Sequence, residues 1–128
     1  MKEQTCITFT VKGCVPRTAP YKKFRSHIYV PSDVKRWRRR IATAFLKCGG
    51  RIPDKEERVS VRYEYGFVKS HADHDSITHS AQDALSKDAL HCSDKEWFID
   101  GISSVRVNTK ANEYLKITVK YGGKADGE

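Results

Sequence analysis

Between Thr5 and Val11 apolar and polar residues alternate, with Ile7, Phe9 and Val11 on one side of the chain, which predicts a strand over 5–11. The run Gly13-Cys14-Val15-Pro16 breaks it, a basic loop follows, and residues 27–30 predict a short second strand. Pro31-Ser32-Asp33 then reads as a helix start, with an N-cap oxygen available from Ser32 or Asp33. Over 34–48 the apolar positions Val34, Trp37, Ile41, Ala44, Phe45 and Cys48 fall on one helical stripe, and Gly49-Gly50 ends it. The clearest strand is 59–68, where Val59, Val61, Tyr63, Tyr65 and Phe67 alternate without a miss. A second helix over 76–90 turns Ile77, Ala81, Ala84, Leu85 and Ala89 inward. Two last strands, 102–107 and 114–119, are expected to form a hairpin over Lys110-Ala111-Asn112.

This order predicts the α/β class in its two-layer α+β form: a mixed β-sheet of about four strands with two helices packed on it. Residues 1–120 read as a single domain, and 121–128, rich in glycine, as a flexible C-terminal tail. No apolar run nears the roughly 18 residues a membrane span needs, and the first twenty residues lack the long apolar stretch of a secretory signal, so export by that route is not expected. The four cysteines contain no CxxC pair, so reduced thiols in a cytosol are expected rather than a disulfide framework. His71, His74, His79, His91 and Cys92 fit no zinc-finger spacing, and His71 and His74 read as exposed loop histidines.

Charge changes the picture. Lys and Arg number 24 against 16 Asp and Glu, a net +8, which in so small a domain points to a polyanionic partner, above all nucleic acid. Arg17, Lys22, Lys23 and Arg25 occupy the first loop, and Arg36, Arg38, Arg39 and Arg40 crowd the first helix; either group is suited to phosphate contacts or to a solvated face.

Against this basic background, acids gather between the best strand and the last two. Asp73 and Asp75 stand two residues apart at the exit of the strand, and Asp94 follows the second helix, where it is expected to return to the same end of the sheet. Three convergent carboxylates suit Mg²⁺, a hard ion that takes oxygen ligands and polarises a phosphodiester. By spacing alone, Asp75 or Ser76 serves equally well as a cap of the second helix.

The run Asp73-x-Asp75-(x)7-Asp83-Ala84-Leu85, with an acidic residue in the turn after the helix, resembles the RusA family of Holliday junction resolvases. That family's signature is D-x-D-N-x-x-K-(x)3-D-A-L and a turn ending in Asp-Asp. The flanks are similar too: a Pro-containing basic loop, then Ile28-Tyr29-Val30-Pro31 before a basic helix, and a final hairpin. The resemblance implies that Asp73, Asp75 and Asp94 hold Mg²⁺ (or Mn²⁺ in its place), that Asp83 braces the site, and that a homodimer cuts four-way DNA junctions in recombination and repair. It implies a cytoplasmic protein of a bacterium or phage. Ser76 replaces the family asparagine, and His79 replaces the lysine expected near the scissile phosphate, where it acts as a cation or a neutral donor. Trp97 and Phe98 are expected in the core or at a dimer contact. Two other readings are a non-catalytic nucleic-acid-binding relative and a small RNase, the latter without an RNP-type aromatic signature.

Overall fold

Nine residues of alternating pattern become the strand that organises the molecule, and every residue of its apolar face (Val59, Val61, Tyr63, Tyr65 and Phe67) is buried. The computed structural model describes residues 5–13, 22–24, 27–29, 32–54, 57–68, 74–93 and 97–122, with the side chains of 22–24, 27–29 and 74–77 outside that description. The elements are β1 (Thr5–Lys12), β2 (Lys22–Phe24), β3 (His27–Tyr29), α1 (Ser32–Lys47), β4 (Val59–Phe67), α2 (His74–Asp83), β5 (Trp97–Arg106) and β6 (Tyr114–Tyr121). A π-helical segment, Ala84–Ala89, continues α2. The fold is α+β as predicted, a mixed four-stranded sheet in the order β1-β6-β4-β5 with two helices.

β6 runs antiparallel to both β1 and β4, with Tyr121 opposite Thr5 on one side and Val59 on the other. β4 and β5 are parallel, pairing Val59 with Trp97 and Phe67 with Arg106. The expected hairpin of the last two strands is therefore absent, because β4 lies between them. Lys110–Asn112 is a short 3-10 turn in a connection that passes the end of β4 rather than a hairpin tip. The reason lies in burial: a strand as apolar as β4 is satisfied by strand neighbours on both edges. β5 also begins five residues earlier than its pattern suggests. Its register slips between Val61 and Arg62 of the partner strand, a bulge that absorbs one residue and breaks the alternation.

The first basic loop is partly strand. β2 and β3 form a separate two-stranded sheet, with Lys22 opposite Tyr29 and Lys23 opposite Ile28.

α1 buries Val34, Trp37, Ile41, Ala42 and Phe45, whereas Cys48, expected on the stripe, is exposed just past its end. There Gly49 adopts φ +96°, the left-handed conformation that closes a helix, and the Gly50 amide donates to the Phe45 carbonyl at 2.9 Å. α2 starts two residues earlier than its pattern and lies antiparallel to β4. Tyr65 Oη meets Thr78 Oγ1 at 2.8 Å, and the Tyr63 hydroxyl donates to Gln82 Oε1 one turn later. Ala81, Ala84 and Leu85 are fully buried as expected, while Ile77 lies outside the described side chains.

Tyr121 is no tail residue. It is fully buried at the end of β6, its hydroxyl donates to the Arg51 carbonyl at 2.8 Å, and the Arg51 amide returns a bond at 3.0 Å. Burial raises its phenol above the ordinary range, so this link stays neutral at physiological pH. Residues 123–128 lie outside the described residues.

One glycine is required by its neighbour. Gly66 faces Tyr114 across β4 and β6, and a Cβ there would stand 2.2 Å from the tyrosine ring. Ile99 and Ile102 of β5 pair with Val61 and Tyr63, yet they are 40% and 37% exposed.

Candidate functional site

The acids of the motif fall at the margins of what is described. Asp73 and Asp94 lie outside the described residues, and Asp75 is placed by its backbone alone, in the first turn of α2. Among the described residues, no three His, Cys, Asp or Glu side chains form a group able to hold a metal ion.

The described residues on either side of the acidic segment stand at opposite ends of β4. α2 begins beyond the Phe67 end of β4 and descends from Tyr65 towards Tyr63, as its two buried hydrogen bonds show. The residues flanking Asp94 stand at the other end. Trp97 pairs with Val59, and Ser93 lines a cleft of about 540 Å³ with Arg58, Pro53 and Trp97. The nine residues of β4 span roughly 26 Å. The parallel pairing of β4 and β5 brings the chain at Trp97 back to the Val59 end of β4.

Asp83 is half-buried at the end of α2, where its Oδ1 lies 3.6 Å from Lys87 Nζ, an i,i+4 pair. His79 is exposed on α2 between buried Thr78 and Ser80. Its placement leaves it open to solvent and to any ligand lying along that face.

The cations of α1 divide into two groups. Arg38 is half-buried and grips Asp88 of the π-helical segment with two bonds of 2.8 Å, a fork-on-carboxylate pair that ties α1 to the end of α2. Arg40 turns to the opposite side and donates to the Lys12 carbonyl at the end of β1. Lys35, Arg36 and Arg39 remain exposed and form no ion pair among the described residues. Lys35 and Arg39 flank a shallow cleft of about 550 Å³ that Arg38, Thr43 and Leu46 also line. Of the four α1 arginines expected to meet phosphate, Arg36 and Arg39 are exposed for it, and Arg38 and Arg40 hold structure. Arg17 and Arg25, with the side chains of Lys22 and Lys23, lie outside the described residues.

Two acids escape the sequence pattern. Glu113 is fully buried at the start of β6; its Oε2 accepts the Val68 amide at 3.0 Å, and its carbonyl accepts the Gly13 amide at 2.8 Å. It thus fastens the exits of β1 and β4, immediately before the chain leaves for α2. Asp88, the partner of Arg38, reads in sequence as one more solvated helix acid. A sequence signal for Glu113 existed only in part: an acid directly before an alternating strand is ordinary, and its burial follows from tertiary packing. Glu64 Oε2 accepts the Tyr114 hydroxyl at 2.7 Å, and this bond to a carboxylate, with partial burial, pushes the phenol up to about 12.

Trp97 is buried, as expected of a core aromatic, whereas Phe98 is 53% exposed with the Arg58 guanidinium 5.8 Å above its ring. No helix among the described residues is long and apolar enough to cross a membrane. In comparisons with known proteins, no family model and no curated protein matches the chain.

Proposed function

We propose that this chain is a Mg²⁺-dependent, structure-selective endonuclease that cuts four-way DNA junctions in recombination and repair, working in the cytoplasm. The observation that carries the reading is a juxtaposition: α2, whose first turn holds Asp75, packs against α1, the helix that presents Lys35, Arg36 and Arg39 to solvent. A phosphate backbone needs such cations for affinity, and bond cleavage needs anionic ligands for a metal beside them.

The donor set fits the ion in kind, because Asp73, Asp75 and Asp94 supply the hard carboxylate oxygens that Mg²⁺ or Mn²⁺ takes. Bound there, the ion would supply Lewis-acid polarisation of the scissile phosphate. Asp73 and Asp94 lie outside the described residues, and no step is routed through the ion. The roles of the remaining residues are simpler. Arg36 and Arg39 neutralise phosphate, Asp83 braces the last turn of α2, and His79 offers an exposed donor along the same helix.

The test is cleavage of a synthetic four-way junction with Mg²⁺. Asp73→Asn or Asp75→Asn should abolish cutting and leave binding intact, since each removes a ligand yet makes the surface more positive. Binding should weaken with salt at a log–log slope of about −5 for six phosphate contacts. Cleavage by either variant at the wild-type rate would exclude the acidic site, and a slope near zero would exclude nucleic acid. Salt-dependent binding without cleavage by the wild type would leave the non-catalytic binding module, the reading favoured by His79 in the place of a lysine.

A further inference from the structure

We propose that the face of the sheet turned away from the helices is a docking surface for an unpaired DNA strand. Alternation assigns the face. Tyr63 and Tyr65 of β4 bond to α2, so Ser60, Arg62, Glu64 and Gly66 point to the other side. The registers of β1, β6 and β4 then arrange that side in rows across the sheet. Lys12 shares a row with Tyr114 and Gly66, Lys116 with Glu64, Arg62 with Thr118, and Lys120 with Ser60. Each of the four rows thus carries one cation, and successive rows are about 7 Å apart.

Charge and ring placement select the occupant. Lys12, Lys116 and Arg62 are exposed and Lys120 is half-buried; the three lysines form no ion pair among the described residues. Two acids share the face. Glu64 is engaged by the Tyr114 hydroxyl, and Asp100, in the β5 bulge, lies 3.3 Å from Arg62 in an exposed pair that opens at little cost. A file of cations neutralises successive phosphates of a strand laid along it. The rings supply the second half of the recognition. Because Gly66 has no side chain, the Tyr114 ring lies over it, tied to Glu64 at 2.7 Å and bordering a cavity of about 370 Å³ lined also by Lys12, Asn112 and Lys116. At the far end of the face, Phe98 pairs with Ser60 and is 53% exposed, with the Arg58 guanidinium 5.8 Å from its ring. A duplex keeps its base faces inside its own stack, whereas an unpaired strand presents them to such rings. The four rows cover about 20 Å, room for about four nucleotides, the lower end of single-domain sites.

α1 lies on the opposite side of the sheet, where Phe45 meets Phe9, so this face is a contact separate from the α1 cations and both can be occupied at once. The choice of DNA over RNA rests on the endonuclease reading; the surface for an unpaired strand does not.

Fluorescence anisotropy of the full chain, in EDTA so that nothing is cut, tests the surface with a short labelled DNA strand, its duplex and an RNA of the same sequence. Lys12→Gln with Lys116→Gln should weaken single-strand binding at least tenfold and reduce the log–log salt slope from about −3 to about −1.5, while duplex binding stays within about threefold. Phe98→Ala should weaken single-strand binding about fivefold or more with the slope unchanged, because stacking releases no counterions. Lys47→Gln, which removes a charge from the helix side, should leave affinity and slope unaltered. All the substituted side chains are exposed, so the circular dichroism spectrum should not change. Wild-type single-strand affinity in either the lysine pair or Phe98→Ala, equal losses on strand and duplex, or tighter binding of the RNA overturns the proposal. Junction cleavage with Mg²⁺ is measured beside it. An uncut junction with the face variants behaving as stated supports the surface and removes only the endonuclease. Cutting by a wild type whose single-strand binding is indifferent to the face removes only the surface.

Discussion

Adding one methyl group at Gly66 should be among the most damaging small changes in the sheet. A Cβ built there lies 2.2, 2.4 and 3.0 Å from three carbons of the Tyr114 ring, against the 3.5–4.0 Å that unstrained carbons keep. The ring must retreat by more than 1 Å, and the 2.7 Å bond from its hydroxyl to Glu64 is lost with it. Overpacking of this kind costs about 1–3 kcal/mol, and the partly buried bond to a carboxylate adds about 1 kcal/mol. The stiffer unfolded chain offsets about 0.5 kcal/mol. A net loss of about 1.5–3.5 kcal/mol follows, which for a domain of this size lowers Tm by roughly 5–17 °C. Urea titration followed by circular dichroism measures it. The double variant Gly66→Ala with Tyr114→Ala should lose much less stability than the sum of the single losses, because the clash disappears with the ring. Strict additivity in that cycle, or a Gly66→Ala protein within about 0.5 kcal/mol of wild type, would refute the cross-strand packing argument.

Two further outcomes follow from pairs already described. Asp88→Asn removes the charge and one of the two acceptor oxygens that hold Arg38, so it should lower stability by about 1 kcal/mol while tightening DNA binding at low salt, read by denaturation and by fluorescence anisotropy in parallel. Tyr114 has a folded pKa of about 12 against an ordinary value of 10.0, so the folded state holds its proton more tightly than the unfolded chain. Its contribution is full below pH 10 and lost as pH rises towards 12; Tyr114→Phe should flatten that alkaline loss of stability in urea titrations at stepped pH.

What could be read from the chain was local, and what could not was relational. The alternation of β4 and the stripe of α1 specify burial one residue at a time, and Val59, Tyr63, Trp37 and Ile41 are buried as those patterns require. Neighbourhood in the sheet has no such signature. Nothing in the pattern of 102–119 says that β4 slides between the last two strands, and a turn over Lys110-Ala111-Asn112 looks the same whether the strands it joins pair or not. The same limit governs the acids. Spacing puts Asp73 and Asp75 together, whereas the end of the sheet reached by the flanks of Asp94 depends on the parallel pairing of β4 and β5. Tyr121 was lost to its surroundings: a run of glycine and charge after it masks an aromatic whose partner, Arg51, is far away in sequence. The arginines of α1 are alike in sequence, and only packing against Asp88 and Lys12 divides those that hold structure from those left exposed.

The position of β6 bears on how the chain acquires its structure. β6 is synthesised after the other strands of this sheet and yet is the one that joins β1 to the rest, with Tyr121 opposite Thr5. Until it arrives, β1 has no strand beside it and β4 has one open edge. A nascent chain released only as far as the 3-10 turn would hold a β4-α2-β5 unit with both outer edges bare, the state most prone to wrong pairing. Closing the sheet therefore waits on contacts between opposite ends of the described chain, which makes the final zippering slow and all-or-none rather than gradual.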